Sequence, residues 1–279
     1  MKRQILHFLA STSVLIALPL SVLAQRENTS LDFTSRLREK VLSKVDALQP
    51  IVFKSTTLGK YPWKSNIVTT VFWIGESPTG NNPVPNHASS WDKQWARNYG
   101  GFDNPNAAYR RGFAPVNFIP RQNPFYIALP YNDVMRGGTK PEASRVIPWF
   151  RTTFERPGKT ICKDRWLAIR RGGKVCYAQW EDCGPFRTDH WEYVFGDQRP
   201  RSNLNQGAGL DVSPAVRDYL GMGGTDVTDW KFVDFDEVPQ GPWSIYGDNN
   251  TFVQNRQKRA DVVVRNKLSG VVEAEVRHE

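Results

Sequence analysis

The chain has 279 residues, 39% hydrophobic and 23% charged, a balance that suits a globular protein and excludes a disordered or collagen-like one. Basic residues outnumber acidic ones by 37 to 28, giving a net charge of +9, and ten Trp contribute to a 12% aromatic content. Three Cys are too few for a disulfide-dense miniprotein, and one apolar run near the start excludes a multi-pass membrane protein.

Residues 1–24 read as a signal peptide. Lys2 and Arg3 form a basic start, Ile5 to Leu20 is apolar, and Val22-Leu23-Ala24 supplies a small-residue cleavage site before Gln25. An uncleaved anchor is the alternative, but the apolar run is short for a spanning helix. The expectation is therefore a secreted or periplasmic protein with no membrane contact after cleavage. The basic excess concentrates in residues 110–174, with 14 Lys and Arg against four Asp and Glu, whereas residues 175–236 hold five against 11. Export and the lack of a nucleic-acid motif argue against a nucleic-acid partner. An anionic polymer suits the basic surface better, the bland alternative being solubility alone.

Within residues 25–65, an N-terminal helix and linker, Phe33, Leu37, Val41, Val45 and Leu48 recur at helical spacing between Ser30 and Pro50. Residues 66–74 are β-branched and aromatic and read as a strand. Residues 77–125 are rich in Pro, Gly and Asn and read as a long, functional loop region. A short strand follows over 123–130. Gly172-Gly173 marks a hairpin turn between strands at 166–170 and 175–180. That turn sets Ile169 opposite Cys176, Leu167 opposite Ala178 and Cys162 opposite Cys183. It predicts a Cys162–Cys183 disulfide with Cys176 left as a buried thiol. A zinc site would need suitably spaced His, which the chain lacks, so neither metal nor cofactor is expected.

Further on, 209–213 reads as a strand leading into a helix capped by Ser213, opened by Pro214 and closed by Gly221. Residues 230–235 alternate as a half-buried strand does. Residues 237–279 lack a clear pattern apart from Ala260–Arg265, and the expectation is an extension that is in part disordered. Many short strands with long loops imply an all-β barrel or sandwich over 66–236.

Asp182-Cys-Gly-Pro-Phe186 followed by Gly209-Leu-Asp-Val-Ser-Pro-Ala215 and a short helix resembles rare lipoprotein A and its barwin-like and expansin-like relatives. Ala128-Leu-Pro-Tyr131 and Val71-Phe-Trp-Ile-Gly75 are similar to earlier family segments. The resemblance spans about residues 66–236, with its specific motifs in 159–221. It implies a six-stranded double-psi β-barrel with short helices, acting on a β-linked polysaccharide such as peptidoglycan. Two departures are plain: the interval from Asp182 to Asp211 carries an inserted loop, and the lipid-bearing Cys is absent.

The resemblance implies a lytic transglycosylase in which Asp211 is the acid and base, with Asp182 in support. Glycoside cleavage needs a carboxyl that stays protonated near neutral pH. For Asp211 the plain alternative is help in capping the following helix, and for Asp182 it is bonding to turn amides. Glu76 and Asp133 are further groove candidates. Trp73, Tyr131 and Trp191 stand near the motif turns as possible sugar platforms, whereas Trp166 and Trp180 read as core. Loop His87 and His190 attract no role. The rival readings are an expansin-like or barwin-like binding protein that does not cleave, and a structural or inhibitory one. A monomer bound to cell-wall glycan is expected.

Overall fold

A computed structural model describes Arg36 and residues 60–80 and 82–262. The signal peptide at 1–24 and nearly all of the N-terminal helix and linker at 25–65 lie outside the described residues.

The strands are β1 (Lys64–Val71), β2 (Arg110–Arg111), β3 (Ala114–Pro115), β4 (Tyr126–Leu129), β5 (Val134–Met135), β6 (Gly138–Thr139), β7 (Arg165–Arg171), β8 (Lys174–Cys183), β9 (Leu210–Val212) and β10 (Thr225–Phe232). Six of them close into a barrel in the order β1-β10-β7-β8-β4-β9. Closure leaves no strand edge without a partner. The pairing is mixed, because β1–β9 and β4–β8 run parallel while the other pairs run antiparallel. Two two-stranded hairpins, β2–β3 and β5–β6, sit in the connections.

The β7–β8 hairpin has the predicted register, from Arg165 opposite Trp180 to Arg171 opposite Lys174. Gly172 takes φ +56 in its turn, a conformation Gly adopts without steric cost. Cys176 lies opposite Ile169 and is fully buried. The Cys162–Cys183 disulfide is not present, since all three cysteines are free thiols. The ladder stops at Arg165. Asp164 then takes φ +65, so the chain turns off before Cys162 reaches the register that would oppose it to Cys183. Cys183 Sγ instead donates to the Tyr131 carbonyl at 3.1 Å.

The helix Pro214–Leu220 follows its local signals. Ser213 Oγ accepts from Val216 N at 3.3 Å, Pro214 occupies the first turn, and Gly221 closes the helix at φ +67. The long 77–125 region carries a helix at Trp95–Tyr99, a 3₁₀ turn at Ala107–Tyr109 and the β2–β3 hairpin. A buried ion pair within it joins Arg110 to Asp103, and Tyr126 Oη of β4 ties the region to the barrel by donating to the second Asp103 oxygen at 3.0 Å.

The Trp content builds the core. Trp95, Trp149, Trp166, Trp180, Trp230 and Trp243 are buried, while Trp63, Trp73, Trp91 and Trp191 are half-buried. One cluster joins Phe72, Ile74, Trp95, Tyr99 and Tyr126. Another stacks Trp180, Phe195 and Phe232, with Trp149 and Trp230 edge-on to Phe232. Each such ring removes about 150–250 Å² from water, worth about 4–6 kcal/mol before conformational entropy is counted.

Part of the extension, residues 237–262, lies within the described residues. Residues 251–262 are helical, preceded by a 3₁₀ turn at Pro242–Ser244. Trp243 packs against Phe125, Tyr177 and Tyr219 of the barrel domain, and Phe252 against Trp166. The domain thus reaches past the predicted boundary at 236. Among the described residues, no helix is long and apolar enough to cross a membrane.

Candidate active site

β4 runs between β8 and β9, and its Ala128 is paired with Asp182 on one side and Asp211 on the other. Two strand spacings separate the carboxylate-bearing positions, about 10 Å between Cα atoms. Ala128 itself is buried, 1% exposed. Gly184, just past Asp182, packs close to both: a Cβ there would lie 3.5 Å from Asp211 Oδ2 and 3.8 Å from the Ala128 Cβ, ordinary contact distances.

Asp211 is half-buried and anchored through one oxygen. Thr70 Oγ, from the neighbouring β1, donates to Oδ1, while Ser213 rather than Asp211 caps the helix. Burial pushes the Asp211 carboxyl up to about 7, the Thr70 bond opposes the rise, and the charges of Glu76 and Asp182 add to it. Asp182 is more enclosed. Its Oδ1 accepts from Ser90 N and Cys183 N, each at 2.7 Å, and burial still raises it to about 6. Glu76 lies beyond the end of β1, where Asn82 and Asn86 side-chain amides donate to its Oε2 at 3.0 and 2.9 Å. Burial raises its pKa against those bonds. The structure therefore brings Asp211, Asp182 and Glu76 into one electrostatic neighbourhood, with Asp211 the one that feels both others.

The remaining sequence candidates stand elsewhere. Asp133 is fully buried, accepting from Thr160 Oγ1 at 2.6 Å and Ile161 N at 2.8 Å, and so braces two loops. Tyr131 is fully buried with its ring edge-on to Phe195, so it offers no face for a sugar to stack on. Trp73 is half-buried in the chain between β1 and Glu76, whereas Trp191 is half-buried in the short helix Trp191–Val194. His190 is buried near Gln198, and His87 is exposed beside the ring of Phe102.

Sequence reasoning missed Thr70, Ser90, Asn82 and Asn86. Three of the four belong to the 77–125 loop region, whose length was the signal that it served the site. Trp91 was missed too. It packs edge-on to Trp180 at 5.6 Å and donates from Nε1 to Asn132 Oδ1 at 2.9 Å. Among the described residues, no group of three or more His, Cys, Asp or Glu is arranged to hold a metal ion.

Comparison with protein-family models finds no match, and comparison with curated proteins finds none either.

Proposed function

We propose that this chain is an exported double-psi β-barrel protein that cleaves cell-wall polysaccharide as a lytic transglycosylase, with Asp211 as general acid and then base. One observation carries the reading: a half-buried carboxyl with its pKa near 7 lies within the influence of two further carboxylates. The closed six-stranded barrel with two parallel pairs supports the double-psi assignment, and the Asp-Cys-Gly-Pro and Leu-Asp-Val-Ser segments support the family resemblance.

The chemistry follows from the two oxygens of Asp211. Thr70 occupies Oδ1, which leaves Oδ2, on the Gly184 side, as the proton-bearing atom. Near neutral pH that proton passes to the glycosidic oxygen as the bond to the anomeric carbon breaks. The resulting carboxylate then takes the proton of a hydroxyl on the same sugar as that hydroxyl closes on the anomeric carbon. No water enters, so no second carboxylate has to position one. Asp182 supports this role through its charge, which helps to keep Asp211 protonated.

The test is incubation of the purified protein with peptidoglycan, with anhydro-muropeptides as the readout. Release by the wild type and a loss of about 100-fold or more in Asp211→Asn is the expected result. Release unchanged in the variant overturns the assignment. Binding to insoluble glycan without soluble product supports the expansin-like alternative.

A further inference from the structure

β8 carries one residue more than its neighbour β4 can pair. Ile127 pairs with Trp180, but the next residue, Ala128, pairs with Asp182, so Glu181 has no partner on β4. It has none on β7 either, because that ladder begins with Arg165 opposite Trp180. Glu181 is therefore the extra residue of a β-bulge. Paired residues on adjacent strands share a face, and a slip of one residue reverses it. Without the bulge, Glu181 would stand beside Ala128 on the face of Asp211, and Asp182 would fall beside Leu129 on the opposite face. The extra residue gives the place beside Ala128 to Asp182 instead.

The bulge is held on several sides. Asp164 N donates to the Trp180 carbonyl at 2.9 Å, and Trp180 Nε1 donates to the Asp182 carbonyl at 2.7 Å, so the two peptides flanking Glu181 are both tied. Glu181 itself is 1% exposed. One of its carboxylate oxygens pairs with Lys163 Nζ at 2.8 Å, and the other accepts from Asn249 Nδ2 at 2.9 Å. Asp164 is the other charged group at this spot. Its carboxylate lies 3.3 Å from Lys163 Nζ and accepts from Asn249 Nδ2 at 3.2 Å. A buried carboxylate is tolerated only with such partners, so Glu181 stays where Lys163 and Asn249 hold it.

Asn249 belongs to the extension, and it grips both strands. Its Oδ1 accepts from Asn123 N, just before β4, at 2.9 Å, and its carbonyl accepts from Gln179 Nε2 of β8 at 3.0 Å. With its bond to Glu181, it meets β8 on either side of Trp180.

We propose that Glu181 is a positioning residue: clamped by Lys163 and Asn249, it fixes the bulge that sets Asp182 on the face of Asp211, and through Asn249 the extension becomes part of the site. This role rests on the reading of Asp211 as the acid. Burial is the main cause of the Asp211 carboxyl being raised to about 7, and the charge of Asp182 adds to it beside that of Glu76, against the Thr70 bond. Asp182 itself is raised only to about 6, so it is ionised while Asp211 titrates. A bulge that relaxes carries that charge away, and the Asp211 pKa falls.

The test follows the Asp211 carboxyl directly, by carbon-13 NMR titration of the full chain labelled at aspartate, with the resonance assigned by its loss in Asp211→Asn. Asn249→Ala removes half of the clamp and leaves every charge in place. Glu181→Ala and Glu181→Gln both remove one charge, but Gln keeps an oxygen for Asn249, so the difference between them isolates the clamp. The expected result is an Asp211 pKa lower by about 0.3 or more in Asn249→Ala, the effect of one charge roughly 10 Å away in water-like surroundings. Glu181→Ala should fall further below the wild type than Glu181→Gln, and the alkaline limb of peptidoglycan cleavage should move to lower pH with each fall. An Asp211 pKa unchanged in Asn249→Ala, with the fold confirmed by circular dichroism, overturns the positioning role, as does equal behaviour of the two Glu181 variants. Should one alanine variant not fold, the other decides. Asp211-dependent cleavage without the titration shift removes the positioning role and leaves the transglycosylase reading standing. The expected shift, with no anhydro-muropeptides from the wild type, supports the positioning of Asp182 and removes the transglycosylase reading.

Discussion

Thr70 and Glu76 act on Asp211 with opposite signs. The Thr70 hydroxyl donates to the carboxylate and favours ionisation, whereas the Glu76 charge disfavours it. Thr70→Val should therefore raise the Asp211 pKa and move the alkaline limb of the pH–rate profile to higher pH. Glu76→Gln should lower it and move the same limb to lower pH. A limb that stays put in both variants would identify another group as the acid. The sequence offered Asp182 and Asp133 as turn residues and Asp211 from the motif strand that the resemblance supplied. The groups that distinguish them are remote in the chain: Thr160 and Ile161 saturate Asp133, while Thr70 leaves one oxygen of Asp211 free. Hydrogen-bond partners at such separations leave no periodicity to read.

Local elements were legible wherever their stop and start signals lie within a few residues. The Ser213–Gly221 helix and the Gly172 turn follow from short-range sterics and capping alone. Ser213→Ala should cost about 1 kcal/mol in a urea-unfolding measurement, because Val216 N loses its acceptor. The Cys162–Cys183 expectation extended a correct register beyond the end of its ladder, and the turn at Asp164 broke it. The helix at 251–262 escaped notice for the opposite reason. It has few apolar positions and is held through Phe252 on Trp166 and Phe235, and through Arg256, which donates to the Ser244 carbonyl at 2.9 Å. Such anchoring produces no amphipathic stripe.

Across the whole molecule, the aromatic core ties the extension to the barrel. Trp243 is buried among Phe125, Tyr177 and Tyr219, residues from β8, the lead into β4 and the helix Pro214–Leu220. Trp243→Ala should destabilise the protein by about 3–5 kcal/mol, since the cavity it leaves lies between three elements that cannot all collapse inward. Unfolding monitored by urea at constant slope would check it, and a loss below about 1 kcal/mol would mean the extension is dispensable to the fold.

The sequence by itself determined the strand-rich class, the hairpin register and the capped helix, because these depend on alternation, turn chemistry and capping within a few residues. Only the tertiary structure decided that Ala128 stands between Asp182 and Asp211, that the 77–125 region delivers the groups holding Asp182 and Glu76, and that Asp133 and Tyr131 are sealed inside. Burial and charge proximity set a carboxyl's pKa, and both depend on which distant segments the closed barrel brings together.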